Sequence, residues 1–132
     1  DNRIMILAGV QASANGNLQW RYGAAMETTD VWIPVDSEYE AVVARQLVDQ
    51  QRRFHKPLRY DGEAAMFPDF VLMDMPQDVP MEVYGFSGET YERRKQQKIA
   101  DYAALNKPFW HWDLKTSPEP PPFPVVGPRA PQ

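Results

Sequence analysis

With 132 residues and a net charge of −4, the chain has room for one core and some irregular sequence, since domains usually hold about 100–150 residues. An apolar fraction of 43% with 12% aromatics is that of a globular protein, and no stretch approaches the roughly 20 apolar residues that cross a bilayer, so no membrane partner is expected. The absence of cysteine excludes disulfides, zinc–cysteine sites and thiol nucleophiles, leaving metals that accept oxygen or imidazole.

The opening DNRIMILAGV has neither a methionine start nor the basic flank and cleavage site of a secretory signal. The expectation is a mature fragment or module of a larger, cytoplasmic protein. The acidic total argues against non-specific coating of nucleic acid, which needs clustered Lys and Arg. Basic residues do cluster locally, from Arg45 to Arg59 and from Arg93 to Lys98, where they serve either as solvated helix faces or as phosphate contacts.

Residues 4–10, IMILAGV, suit a strand, and Asn15-Gly16 is a strong turn signal, so an N-terminal hairpin is expected with LQWRYG as its second strand. VWIPV at 31–35 adds a further extended piece. Asp36-Ser37 supplies an N-cap, and Glu40, three residues after Ser37, completes a capping box for a helix running to about Arg53. Val42, Val43, Leu47 and Val48 give that helix an apolar side, with Arg45, Gln46, Gln50 and Arg53 turned away.

Three short segments rich in β-formers follow, KPLRYDG, FPDFVLMDMP and VPMEVYGFSG, separated by Pro, Gly or Asp. Residues 88–106 contain no Pro, open with acidic residues and read as a second helix; KPFWHWDL then returns to extended structure. The last stretch, SPEPPPFPVVGPRAPQ, has seven prolines in sixteen residues and reads as a polyproline-like tail or linker. The expected division is a β extension over 1–36, a core over 37–113 and a Pro-rich tail over 114–132.

Two acids stand inside apolar strands, Asp69 in FPDFVL and Glu82 in PMEVYG, where a charge is costly unless paired or metal-bound. Twelve residues separate them. Further on, Tyr91, Lys95, Lys98 and Tyr102 stand at spacings of four, three and four, which puts two ammonium groups on one helical face.

From Ser37 onward the element order is helix, three strands, helix, strand, and with Pro68-Asp69 and Glu82 in place this resembles the αβββαβ core of the PD-(D/E)XK, or restriction-endonuclease-like, nuclease superfamily. The implied fold is an α/β domain with a mixed central sheet flanked by helices, preceded by the hairpin and followed by the tail. The resemblance implies that Asp69, Glu82 and the backbone carbonyl of Val83 hold Mg²⁺ or Mn²⁺ for phosphodiester hydrolysis of DNA. It departs from the family at Tyr84, which stands where the strand lysine belongs. In branches that include helicase-fused nuclease modules the lysine comes from the following helix, which makes Lys98, then Lys95, the candidate cation and Tyr84 an orienting hydroxyl.

Glu40 occupies the place of the acid that many members add from the first helix, in competition with its capping role; Glu38 is a weaker substitute. Arg45, Arg52, Arg53, Lys56, Arg93 and Arg94 are the candidate phosphate contacts. The string from KPLRYDG to WHWD is also similar to a domain at the end of large proteins of bacterial mobile and conjugative elements. Expected partners are therefore DNA, the remainder of a parent protein and a second copy in a homodimer. The rival expectation is an inactive member of the same fold that binds nucleic acid or protein.

Other roles stay open at several positions. Asp69 also suits a strand cap after Pro68, and Glu82 a structural ion pair with Arg59 or a helix lysine. His111 and His55 read as exposed or satisfied histidines, without the neighbours that a zinc site needs. Phe109, Trp110 and Trp112 read as core or interface, with base stacking as the alternative.

Overall fold

The computed structural model describes residues 3–58, 67–85 and 87–126. It is a mixed α/β structure with two sheets and two helices. The chain divides into two compact units, Asp1–Arg45 and Gln46–Gln132, so the division falls inside a helix and not before it. Among the described residues no helix is long and apolar enough to cross a membrane.

In the first unit, β1 (Arg3–Ala12) and β2 (Leu18–Thr28) form an antiparallel ribbon. Gly16 takes φ +79 in the connecting turn, a conformation open to glycine at no steric cost, and its N–H donates to the Ser13 carbonyl at 2.9 Å. The register shifts between Gly9, opposite Tyr22, and Val10, opposite Trp20, which leaves Arg21 as the bulged residue. The extended piece expected at 31–35 does not form a strand. Trp32 sits at φ +66, Thr29 N–H bonds the Ile33 carbonyl at 2.9 Å, and Pro34, which has no N–H, makes only an isolated bridge to Thr28.

The first helix, α1 (Glu38–Asp49), starts where its cap predicts: Glu40 N–H donates to Ser37 Oγ at 3.1 Å, and the Glu40 carboxylate accepts the Asp36 N–H at 3.1 Å. It stops four residues before the expected Arg53. Gln51 adopts φ +52, and the N–H groups of Gln51 and Arg52 turn back to the carbonyls of Val48 and Leu47, closing a Schellman-type end without glycine.

The second unit contains a four-stranded sheet in the order β3 (Phe54–His55), β4 (Phe70–Leu72), β5 (Val79–Tyr84), β6 (Trp110–Asp113). β4 is antiparallel to both neighbours, while β6 runs parallel to β5 after the crossover helix α2 (Glu89–Ala104). The described strand before β4 lies at Phe54–His55; of KPLRYDG, residues 56–58 are in no strand and 59–62 fall outside the described residues. Alternation then sorts the sheet into two faces. Phe70, Leu72, Val79, Met81, Trp110 and Trp112, all 6% exposed or less, make an apolar face. Glu82, Tyr84, His111 and Asp113 share the opposite face.

The Pro-rich stretch is not a free tail over its first part. Trp112 donates its indole N–H to the Ser117 carbonyl at 3.0 Å, Trp110 donates to the Pro122 carbonyl at 3.2 Å, and the buried Phe123 ring lies 5.3 Å from that of Trp110. Prolines leave backbone carbonyls without helix or sheet partners, and here the indoles use two of them. Residues 117–123 therefore act as a strap beside the tryptophan face. Phe123→Ala should lower stability by about 2–4 kcal/mol in urea unfolding and shift tryptophan fluorescence to the red. A loss below about 0.5 kcal/mol would show that the strap does not pack.

Candidate functional site

β5 carries Glu82 into the second unit with its side chain only 3% exposed, a position no carboxylate tolerates without partners. Two groups of α2 supply them. Lys98 Nζ lies 2.7 Å from Glu82 Oε1, and the Tyr102 hydroxyl donates to the same oxygen at 3.3 Å. Both residues belong to the helical face marked by the spacing of Tyr91, Lys95, Lys98 and Tyr102, and that face meets the polar face of the sheet. Lys98 also reaches the Phe67 carbonyl at 3.5 Å, and with 37% of its side chain exposed it retains access to solvent.

Asp69 enters from the start of β4. Its N–H donates to the Met81 carbonyl at 3.0 Å, and its Oδ2 accepts the N–H of Val83, the residue after Glu82, at 2.7 Å. Within a strand the N–H and C=O of one residue point to the same side, so the Val83 carbonyl also faces β4. Asp69 thus bonds, across the β4–β5 seam, the backbone of the residue that follows Glu82, while Lys98 pairs with the Glu82 carboxylate. The charge of the two acids reaches the neighbouring phenols: burial first, then Glu82 and Asp69, hold the Tyr84 and Tyr102 hydroxyls protonated well above the ordinary tyrosine value.

Tyr84 stands on the same face, 5% exposed, with its hydroxyl buried and without a hydrogen-bond partner among the described residues. Tyr91 borders its ring edge-on at 6.4 Å, His111 lies tilted to it at 5.9 Å, and the Lys95 ammonium stands over it at 5.9 Å. His111 pairs with Glu82 in the parallel register and stacks on Phe109, which stacks in turn on Tyr102. Burial lowers the His111 pKa, with Lys95 adding to the effect against an opposing pull from Asp113.

Lys95 has a different position from Lys98. It is buried, and its Nζ lies 2.8 Å from both Asp113 Oδ2 and Glu92 Oε2. Burial pulls its pKa down, but the hydrogen bonds to Asp113 and Glu92 outweigh this and the net shift is upward. Glu92 also takes Lys115. Asp113 was missed as a partner because it becomes a neighbour of Tyr84 only through the parallel β5–β6 register, which local sequence does not encode.

The basic candidates divide between structure and surface. Arg52 is locked to Asp74 by two bonds of 2.8 Å with its side chain 8% exposed, so it braces the sheet edge and is not presented to phosphate. Arg53 donates to the Met73 carbonyl at 2.6 Å, and Lys56 lies over the Phe70 ring at 4.7 Å. Arg93, paired with Glu89, and Arg94 are exposed on α2; Arg45 is half-buried. Glu40 belongs to the first unit and carries out its capping role there, while Glu38 is exposed at the helix start. Arg59, the alternative partner for Glu82, lies outside the described residues. Among the described residues no three His, Asp or Glu side chains converge in a way that could hold a metal.

A family model described as a protein of unknown function, DUF1173, matches residues 1–115, from the ribbon through β6. The chain belongs to the DUF1173 family. No curated protein and no solved structure matches it. The family match ends before the strap, so the face and edge that carry Asp69, Glu82 and Lys98 lie within the part shared with the family.

The Lys95–Asp113 contact gives a signed pH dependence. Asp113 has a pKa lowered chiefly by its Lys95 hydrogen bond, so the stability it contributes is complete above the ordinary value of 3.8 and is lost as pH falls through the lowered value. The raised pKa of Lys95 loses its contribution only as pH rises beyond 10.5. The stability difference between the unaltered chain and Asp113→Asn, from urea unfolding, should be constant at neutral pH and shrink below about pH 4. A difference that grows on acidification would contradict this pairing.

Proposed function

We propose that the second unit is the catalytic core of a metal-dependent nuclease that hydrolyses phosphodiester bonds of DNA, on the plan of the PD-(D/E)XK superfamily and as part of a larger DNA-processing protein. The observation that carries the reading is that Asp69 bonds the backbone just after Glu82 while Lys98 pairs with the Glu82 carboxylate. The order of strands, helix and strand in this unit supports it, as does the parallel pairing of the last strand after its crossover.

The donor set fits a hard cation. Mg²⁺ and Mn²⁺ take one or two carboxylates and complete their shell with water and phosphate, and the Asp69 and Glu82 carboxylates with the Val83 carbonyl would hold one on that pattern. A bound cation supplies positive charge that lowers the pKa of a water and offsets charge on the phosphate. Lys98, partly exposed beside Glu82, orients the attacking water or a phosphate oxygen as a compact point charge. Tyr84, its buried hydroxyl held protonated and without a hydrogen-bond partner among the described residues, is the orienting hydroxyl beside Glu82. Lys95 positions β6 through Asp113 and is the weaker catalytic candidate. Arg93 and Arg94 on the exposed side of α2, with Lys56, are the remaining phosphate contacts of this unit.

A second reading, an inactive module of the same plan that binds nucleic acid or protein, draws on one observation. Lys98 and Tyr102 already satisfy the buried Glu82 carboxylate without a metal, with Tyr84 where the strand lysine belongs. Calorimetric titration with Mn²⁺ and cleavage of plasmid and single-stranded DNA separate the two. The nuclease reading expects metal binding at least tenfold weaker in Asp69→Ala, and in Lys98→Ala a cleavage rate lower by about 10²-fold with metal binding retained. Unchanged metal affinity in Asp69→Ala would reject the site, and DNA binding without cleavage in the unaltered chain would favour the inactive module.

A further inference from the structure

The β1–β2 ribbon carries nine exposed large hydrophobic side chains, and between Ile4 and Val10 and between Leu18 and Met26 only Arg21 is charged. Arg21 is the bulged residue, its guanidinium held by Gln11 at 2.9 Å. A two-stranded ribbon buries neither of its own faces, and a ribbon with few charges and open edges is where sheets associate. The register puts Ile4, Ile6 and Val10 of β1 on one face with Leu18, Trp20 and Ala25 of β2.

That face has a bulky half and a hollow half. Near the turn, the Trp20 indole lies flat across Gly23, where an added Cβ would stand 2.2 Å from its ring atoms. At the other end is a shallow cleft of about 410 Å³ lined by Ile4, Ala25, Met26 and Glu27.

We propose that this face joins the chain to a second copy of itself, ribbon on ribbon about a two-fold axis, with Leu18 and Trp20 of each copy covering the cleft beside Ile4 and Ala25 of the other. A two-fold contact needs one patch that complements itself, and a projection and a hollow on the same face provide it. Ile4, Ile6, Val10, Leu18 and Trp20 are each 55–73% exposed. Together they offer on the order of 700 Å², close to the roughly 800 Å² per partner that a stable interface buries. With Glu27 its only charge, at one end, the face offers nothing to phosphate, which sets it apart from the proposed nuclease site.

Sedimentation velocity of the full chain at micromolar concentration should give twice the monomer mass of 15.2 kDa. Trp20→Ala and Leu18→Lys should each return it to the monomer with the far-ultraviolet circular dichroism unchanged. Because the chain has no cysteine, mixing Leu18→Cys copies with Ile4→Cys copies should yield a disulfide-linked pair on oxidation, while either variant alone should not. A monomer at every concentration, a dimer indifferent to both substitutions, or crosslinking of like with like as readily as in the mixture would overturn the proposal. So would a monomer that instead binds phosphatidylcholine vesicles through Trp20, which would make lipid the cover of this face.

Discussion

A carboxylate buried in the middle of a strand sets the terms for the second unit. Glu82 has lost nearly all contact with water, and an ion in that position costs several kcal/mol unless charge and hydrogen bonds replace the solvent. Lys98 and Tyr102 do so from α2, which fixes the rotation of the helix about its own axis. Once that rotation is set, Lys95 falls on Asp113 and Tyr91 on the edge of the Tyr84 ring. One buried charge thereby ties helix orientation, strand register and the aromatic surround into a single arrangement.

The same sheet separates two tasks by alternation. Its apolar face buries Met81, Trp110 and Trp112, and the strap adds carbonyl acceptors for the indoles. The opposite face gathers nearly all the ionisable groups of the sheet. The packed core and the proposed chemistry thus draw on neighbouring residues of β5 that point opposite ways, Met81 to one and Glu82 to the other. The Asp69 bond to Val83 N–H links the strand edge to the acid pair, so the geometry of the two carboxylates is set by backbone as well as side chains.

Much of this arrangement is local enough to be legible in the sequence. The spacing of Tyr91, Lys95, Lys98 and Tyr102 marks one side of a helix whatever packs against it. A charge inside PMEVYG or FPDFVL must find a partner, and the Ser37 cap starts α1 where its pattern says. What could not be read depends on distant contacts. β3 has two residues and exists only because Phe54 and His55 pair with β4. The end of α1 rests on Gln51 in a left-handed conformation usually taken by glycine. The division of labour between Lys95 and Lys98 follows from the parallel register of β6, and the strap from two indoles whose partners lie five and twelve residues away. At 31–35 the β-rich composition was overridden by the turn at Trp32 and by a proline without a donor.

The central claim is that Asp69, Glu82 and the Val83 carbonyl act as one oxygen cradle. The most direct measurement is anomalous diffraction from crystals of the full chain grown with Mn²⁺. The account predicts a single strong peak within coordination distance, about 2.2 Å, of an oxygen from each of the three. A map without density at that edge, or a cation bound elsewhere while Glu82 stays closed on Lys98, would contradict it.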